Sequence, residues 1–409
     1  MDLFKRKPQI LVDDILIEQA LSRGVENVFP NIESVKSFLK KGKRLTIYLG
    51  IDPTGPTIHL GHVIPIRKLA QFQKLGHRIL FLIGDFTAMI GDPTDKASAR
   101  KQQTRDQVLE NCKKYKEQAS HFIDFSGPNK AEIKFNSKWL AKLSFKEVVE
   151  LASHVTVDQM LKRDMFQKRM AEGKPVHLHE FLYPLMQGYD SVAMEVDGEI
   201  GGNDQTFNML AGRDLAKVLS NKDKFVITTK LLVDQSGKKM GKTEGNMVSL
   251  DQNPSDMFGK VMSWPDELIS TGFELLTDVP TNEIEAMKKE IANGSNPRDA
   301  KAKLAWEVVT SVYGKEKASQ AQERFSATFK EGAVPEDATK AIVSKGEKLI
   351  DILTQEKVVS SKSDFRRLID GKAISYVGKD DAITDYDFKI EQAGTIRVGK
   401  KRFITISVV

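Results

Sequence analysis

The chain has 409 residues, 62 Lys and Arg against 56 Asp and Glu, a formal net charge of +6 and 40% hydrophobic residues. That length exceeds what one core usually serves, so two or three domains are expected, and the mild basic excess permits a polyanionic partner without demonstrating one. A single cysteine, Cys112, excludes an internal disulfide framework and a cysteine-rich zinc site, and no apolar run of signal-peptide or membrane-spanning type is present, so a reducing, cytoplasmic location is expected.

In chain order, residues 44–51 (RLTIYLGI) and 78–83 (RILFLI) are short β-branched and aliphatic runs bounded by Gly or Asp, the pattern of buried parallel strands. Residues 63–75 between them carry apolar side chains at helical spacing. The result is a strand–helix–strand unit, whose ligands belong at the C-terminal ends of the strands. Residues 106–122, 145–152 and 157–170 read as helices inserted before the sheet resumes, with further strands predicted at 194–200 and 225–232. Beyond Asn246 the pattern is mainly helical to about Phe329. The segment EGAVPED at 331–337 has linker composition, and a small mixed domain follows.

Two segments carry phosphate chemistry. Tyr48-Leu49-Gly50-Ile51-Asp52-Pro53-Thr54 leads into His59-Leu60-Gly61-His62 at a predicted helix start, where unpaired N–H groups and the positive dipole end favour phosphates and Gly61 admits a nucleotide against the backbone. A zinc pair or two surface histidines are the bland alternatives. Past the middle, Ser236-Gly237-Lys238-Lys239-Met240-Gly241-Lys242-Thr243 is a glycine-rich loop with three lysines, able to meet charge growing on a leaving pyrophosphate. It nearly spells a Walker A loop, but three residues separate its glycines where that motif needs four. A solvated basic loop is the other reading.

In this order, His59–His62 and Lys239–Thr243 resemble the HIGH and KMSKS signatures of class I aminoacyl-tRNA synthetases. With Gly84-Asp85-Phe86-Thr87-Ala88-Met89-Ile90-Gly91-Asp92-Pro93-Thr94, Tyr183-Pro184-Leu185-Met186-Gln187-Gly188-Tyr189-Asp190 and Gly201-Gly202-Asn203-Asp204-Gln205-Thr206-Phe207-Asn208, the whole chain resembles the bacterial tyrosyl-tRNA synthetase family. The resemblance implies an α/β fold: a Rossmann-type parallel-sheet catalytic domain over 1–232, the KMSKS-like loop and an all-helical domain over 233–330, a linker at 331–340, and a small α+β RNA-binding domain of the ribosomal protein S4 type over 341–409. It also implies a homodimer acting on L-tyrosine, ATP with Mg²⁺ and tRNA(Tyr), with no membrane and no resident metal.

The same resemblance assigns roles. Tyr48 and Asp190 match the positions that bond the substrate phenol, a group that both donates and accepts. Asp92, Tyr183 and Gln187 match the positions that hold the tyrosine α-ammonium, and Gln205 matches a tyrosine-binding position next to the adenylate. Gly50, Asp52, Gly61, Gly202, Asp204, Met240 and Gly241 match the adenylate-binding positions. Thr54, His59, His62, Lys96, Lys239, Lys242 and Thr243 are expected around the ATP phosphates. Leu49 and Pro65 depart from relatives that carry polar groups near the ribose.

Near the C-terminus, Ser363 can cap a helix whose Arg366 and Arg367, with Lys400, Lys401 and Arg402, would meet tRNA phosphates. The rivals to this reading are a tryptophanyl-tRNA synthetase, a non-catalytic RNA-binding paralogue and a P-loop ATPase.

Overall fold

The computed structural model describes residues 8–94, 103–233, 247–330, 338–377, 381–399 and 402–409. The chain divides into two compact units, one running through Ala318 and the other from Ser319 to Val409.

The first unit is built on a six-stranded sheet. Its strands are β1 (Val25–Phe29), β2 (Thr46–Ile51), β3 (Arg78–Ile83), β4 (Glu132–Phe135), β5 (Gly198–Gly202) and β6 (Phe225–Thr229), in the order β1-β6-β5-β2-β3-β4. Every neighbouring pair is parallel except β1, which lies antiparallel on β6. The central strands are buried on both faces, Ile47, Tyr48, Ile79, Phe81, Val226 and Ile227 each at 1% exposure or less, which explains their nearly unbroken apolar sequence. From β2 the chain winds outward to β3 and β4. It then returns to the other side of β2 for β5 and β6. The strand order therefore reverses between β2 and β5, and the crevice outside their C-terminal ends is where such sheets bind ligands.

The expected helix after β2 spans Leu60–Lys74, beginning earlier than the apolar spacing from Val63 suggested because Gly61 and His62 already lie in its first turn. The helix expected at 106–122 is two, Arg105–Cys112 and Tyr115–Ala119, and that at 157–170 divides into Val157–Leu161 and Asp164–Ala171. Phe145–Ala152 forms as expected, with Ser144 accepting the Glu147 N–H at its cap. The strand expected at 194–200 begins only at Gly198, since Glu195 takes a left-handed φ of 51° in the turn that ends the helix Leu178–Ala193. Beyond Met247 come the helices Pro254–Met262, Leu268–Leu276, Thr281–Ala292, Pro297–Tyr313 and Lys315–Lys330.

The second unit contains a four-stranded sheet in the order β7 (Thr339–Val343), β10 (Arg402–Val408), β9 (Gly394–Val398), β8 (Ile374–Tyr376), with helices Leu349–Gln355 and Lys362–Asp370. Phe365, Ile369, Ile396, Val398 and Ile404 share its core. The cap of the second helix is Ser361, not Ser363. Ser361 Oγ accepts the Asp364 N–H at 3.1 Å, which places Ser363 inside the first turn. No helix among the described residues is long and apolar enough to cross a membrane.

Candidate active site

The chain a few residues past the second signature segment pairs through its backbone with the first segment. Residues 234–246, holding Lys239, Met240, Gly241, Lys242 and Thr243, lie outside the described residues, as do Lys96, Lys400 and Lys401. The chain resumes at Met247 and immediately pairs with the first segment: Leu60 N–H donates to Val248 O at 3.0 Å and Leu250 N–H donates to Ile58 O at 2.9 Å. His59 and Ser249 thus form an antiparallel bridge. Stretches nearly two hundred residues apart are joined at the start of the helix Leu60–Lys74, whose N-terminus offers its own N–H groups to an anion.

His59 caps that helix and His62 lies in its first turn, their rings stacked with centroids 3.7 Å apart. His62 Nδ1 accepts the His59 backbone N–H at 3.4 Å, leaving Nε2 as the protonated nitrogen and an available donor. Burial, with His59 beside it, holds the His62 pKa well below 6.5, so the ring is neutral at physiological pH. Gly61 is half-buried in the same turn. Thr54 sits in the turn after β2, its N–H donating to Asp52 O at 2.8 Å.

At the C-terminal end of β2, Gly50 is exposed within an otherwise buried strand, leaving backbone as the floor of the crevice. Asp52, just beyond, binds two neighbours: Tyr183 Oη donates to its Oδ2 at 2.8 Å and Thr87 Oγ1 donates to its Oδ1 at 2.7 Å. A Cβ on Gly84 would stand 2.0 Å from Asp52 Oδ1, so glycine there makes room for this carboxylate. Across the switch point, Gly202 ends β5, and Asp204 and Gln205 follow in a short 3₁₀ turn. Gln205 Nε2 donates to Asp92 Oδ2 at 2.8 Å, and Thr94 N–H donates to Asp92 Oδ1 at 2.9 Å. Asp92 is thereby held on both oxygens.

Asp190, only 2% exposed, projects from the same helix as Tyr183 and Gln187. Trp139 Nε1 donates to its Oδ1 at 2.7 Å and Asn136 Nδ2 to its Oδ2 at 3.2 Å. Burial pushes its carboxyl well above the ordinary range, and these two donors pull it back toward ionisation. Asn136 Nδ2 also donates to Thr87 Oγ1 at 3.0 Å, so one network runs from Tyr183 through Asp52, Thr87 and Asn136 to Asp190. Tyr48 is completely buried, its hydroxyl 3.0 Å from Ser191 Oγ. Burial, then the Glu199 and Asp190 carboxylates, raise its phenol well above 10, so it stays protonated. Gln187 Nε2 donates to Glu199 Oε1 at 3.1 Å.

Six residues that the sequence did not single out by role complete this arrangement: Thr87, Asn136, Trp139, Ser191, Glu199 and Lys224. Thr87 stood in a quoted family-like stretch. The others gave no signal; Lys224, in the turn-like NKDKF, reads as surface yet is 1% exposed. Leu49 and Pro65 are both buried.

In the second unit, Arg367 Nη2 donates to Asp364 Oδ1 at 2.8 Å, while Arg402 Nη1 donates to Asp364 Oδ2 at 3.2 Å and Val358 O at 2.6 Å. The Ser360 N–H first, then these two guanidinium groups, hold the Asp364 carboxyl well below its usual range. Arg366 lies on the same helix.

Residues 40–330 match the family model of class I tRNA synthetases for tryptophan and tyrosine. The parallel sheet with its switch point, together with this match, defines a class I aminoacyl-tRNA synthetase. The chain is 43% identical over 402 residues to the tyrosine–tRNA ligase of Carboxydothermus hydrogenoformans, covering 95% of this chain and 97% of that protein. To the tyrosine–tRNA ligase of Photobacterium profundum it is 44% identical over 398 residues, covering 96% and 99%. A C-terminally truncated mitochondrial tyrosyl-tRNA synthetase from Coccidioides posadasii superposes with a TM-score of 0.62 at 28% identity, over 75% of this chain and 91% of that one. The chain belongs to the tyrosine–tRNA ligase family.

Proposed function

We propose that the chain joins L-tyrosine to ATP as tyrosyl-adenylate and then transfers the tyrosyl group to tRNA(Tyr), through the residues assembled at the switch point. The observation that carries this reading is the backbone pairing of residues 58–60 with residues 248–250, in a unit that also buries a phenol donor, Tyr48, within electrostatic reach of a carboxylate acceptor, Asp190.

In the first step a tyrosine carboxylate oxygen attacks the α-phosphorus, the bond to the β-phosphate bridging oxygen breaks, and pyrophosphate leaves. The nucleophile is already ionised, so no general base is needed, and catalysis rests on alignment and on countering the charge of the leaving group. His62 Nε2–H, the N-terminus of its helix, Thr54, Lys96, Lys239, Lys242 and Thr243 serve that charge. Met240 and Gly241 flank the nucleotide with Gly50, Gly61 and Gly202. Mg²⁺ arrives with ATP, coordinated chiefly by the phosphates.

Asp204 accepts from ribose hydroxyls, and Asp52 positions Tyr183. Asp92, held by Gln205, supplies the negative charge for the α-ammonium, which Tyr183 and Gln187 meet as neutral acceptors. In the second step the terminal ribose hydroxyl of the tRNA attacks the tyrosyl carbonyl and AMP leaves. The pairing of phenol with Tyr48 and Asp190 rejects phenylalanine, which would leave both groups buried and unpaired; tyrosyl-tRNA synthetases are themselves the established example of rejection by this means.

The proposed division of labour assigns 1–232 to catalysis, 233–330 to the loop and the anticodon-side helices, 331–340 to a linker, and 341–409 to S4-like RNA binding through Arg366, Arg367, Lys400, Lys401 and Arg402. A homodimer is supported by apolar side chains that face solvent on neighbouring helices: Phe145 at 83% exposure, Val149 at 52%, Val157 at 65% and Leu178 at 77%. The enzyme works in the cytoplasm.

ATP–pyrophosphate exchange with tyrosine, tryptophan and phenylalanine supplied separately tests the activity. Exchange with tyrosine alone is the expected result; exchange with tryptophan in preference, or with none of the three, overturns it.

A further inference from the structure

Behind the tyrosine pocket lies an ion pair that no step above uses. Lys224, at the entry to β6, and Glu199, on β5, have side chains 0% and 3% exposed, and the Lys224 ammonium donates to Glu199 Oε2. Room for the ammonium comes from Gly212 in the helix Thr206–Ser220, where a Cβ would stand 2.8 Å from Lys224 Nζ. Lys224 Nζ also donates to Ser191 Oγ at 2.8 Å and sits 5.8 Å from the centre of the Tyr48 ring. With the bonds already described, the chain of contacts runs Gln187–Glu199–Lys224–Ser191–Tyr48, and both of its ends are side chains read above as touching tyrosine.

Stability does not account for such a pair. Burying two charges costs about as much as their attraction returns, and apolar residues of similar volume often serve as well. What the pair offers that amides and hydroxyls do not is direction: an ammonium only donates and a carboxylate only accepts. Gln187 must therefore turn its NH₂ to Glu199, leaving its Oε1 on the other side. Ser191 must accept from Lys224, and among the described hydrogen bonds its own proton has Tyr48 Oη as acceptor. The Tyr48 proton is then directed away from Ser191, toward Glu199, which also bonds the phenol, and toward the substrate hydroxyl. A phenol that gives its proton to Asp190 needs a donor for its oxygen, and a carbonyl oxygen is what an α-ammonium needs from Gln187.

We propose that Lys224 and Glu199 are positioning residues that fix the hydrogen-bond polarity of the tyrosine pocket, Glu199 turning the Gln187 oxygen toward the substrate ammonium and Lys224, through Ser191, turning the Tyr48 hydroxyl to donate to the substrate phenol. The inference rests on the tyrosine-activating reading above.

The test is exchange kinetics on the full chain with three variants. Ser191→Ala cuts the relay and leaves the ion pair intact. It is expected to raise KM for tyrosine about tenfold and to lower the preference for tyrosine over phenylalanine by a similar factor, with KM for ATP unchanged, as for the loss of one buried hydrogen bond. Lys224→Met is expected to do the same but to lower Tm as well, since it strands Glu199. In the double variant Lys224→Met with Glu199→Gln, Tm is expected to recover while KM for tyrosine and the phenylalanine preference do not.

Recovery of tyrosine KM together with Tm in the double variant overturns the inference, because neutrality alone would then suffice. So does an unchanged tyrosine KM in Ser191→Ala. Absence of tyrosine-dependent exchange in the unaltered chain instead overturns the functional reading on which the inference stands.

Discussion

The chemistry of the site is set by single protonation states. His62 is stacked on His59 and its pKa lies well below 6.5, so lowering the pH toward 6.5 does not charge it; the role proposed for it at the phosphates is that of a neutral Nε2–H donor throughout the physiological range. His62→Ala is expected to slow adenylate formation by about a hundredfold, the usual cost of removing one donor from a developing charge. The shape of the rate profile between about pH 6 and 8 should be the same in variant and parent; an inflection near 6.5 that vanishes with His62 counts against the assignment.

Lys242→Ala is expected to cut the activation rate far more, on the order of a hundredfold or greater, than it weakens tyrosine binding, because its partner is charge that grows only in the transition state. Pre-steady-state adenylate formation with an unchanged rate constant removes it from that role. His59, Gly61 and Asp204 were singled out in the sequence because the stretches that hold them resemble the family's, and His59 and Gly61 also because they stand at a helix start, where phosphate is favoured. Asn136, Trp139 and Lys224 were not, since each acts by touching another side chain contributed from a distant part of the chain. Nothing local in a sequence records that partnership.

Among the elements, strands β2 and β3 were legible because burial on both faces demands an uninterrupted apolar run. Strand β4 was not, since Glu132–Phe135 is half-buried and polar at alternate positions. Its place at the sheet edge is secured by charge instead. Arg78 on β3 donates from Nε to Glu132 Oε1 at 2.7 Å and from Nη2 to Oε2 at 3.0 Å, and Lys134 lies 2.9 Å from the same carboxylate.

The Arg78 guanidinium first, then Lys134, pull the Glu132 pKa down to about 2. A carboxyl depressed on folding contributes stability that is fully present above its unfolded value, about 4.5, and is lost as the pH falls toward about 2. The pair is partly solvated, 39% and 35% exposed, which limits its worth. Glu132→Gln is expected to cost about 1 kcal/mol at neutral pH. Urea titrations should show that difference shrinking steadily below about pH 4.5; a constant difference down to about pH 2 refutes the electrostatic account.

Helix boundaries fared worse than strands. Thr104 and Thr156 each accept an N–H three residues on and start short helices that the apolar spacing had merged with their successors.

At the scale of the whole molecule, the unit from Ser319 onward has its own core around Phe365, Ile396 and Ile404. Removing residues after about 340 is expected to abolish tyrosylation of tRNA while tyrosine-dependent pyrophosphate exchange continues, as measured on the truncated chain. Loss of both activities together would place the functional boundary elsewhere. Replacing Phe145 and Val157 by Asp is expected to convert the proposed dimer to a monomer in sedimentation, because two exposed apolar side chains become charges; an unchanged sedimentation coefficient refutes that face as the interface. A separate C-terminal unit was expected from the linker-like segment 331–337, whereas the structure begins that unit at Ser319; the exposed apolar residues Phe145 and Leu178, far apart in sequence on helices that touch, gave no signal.

The bridge between His59 and Ser249 also works as a ruler. It pins Val248 to the first signature, so the chain before it is measured out from a fixed origin, with Lys242 six positions upstream in the sequence. Adding one residue between them changes that reach by up to about 3.5 Å, several times the misplacement that reacting groups tolerate. On the role proposed for Lys242, the count of residues in that interval matters as much as the identity of the lysine at its end.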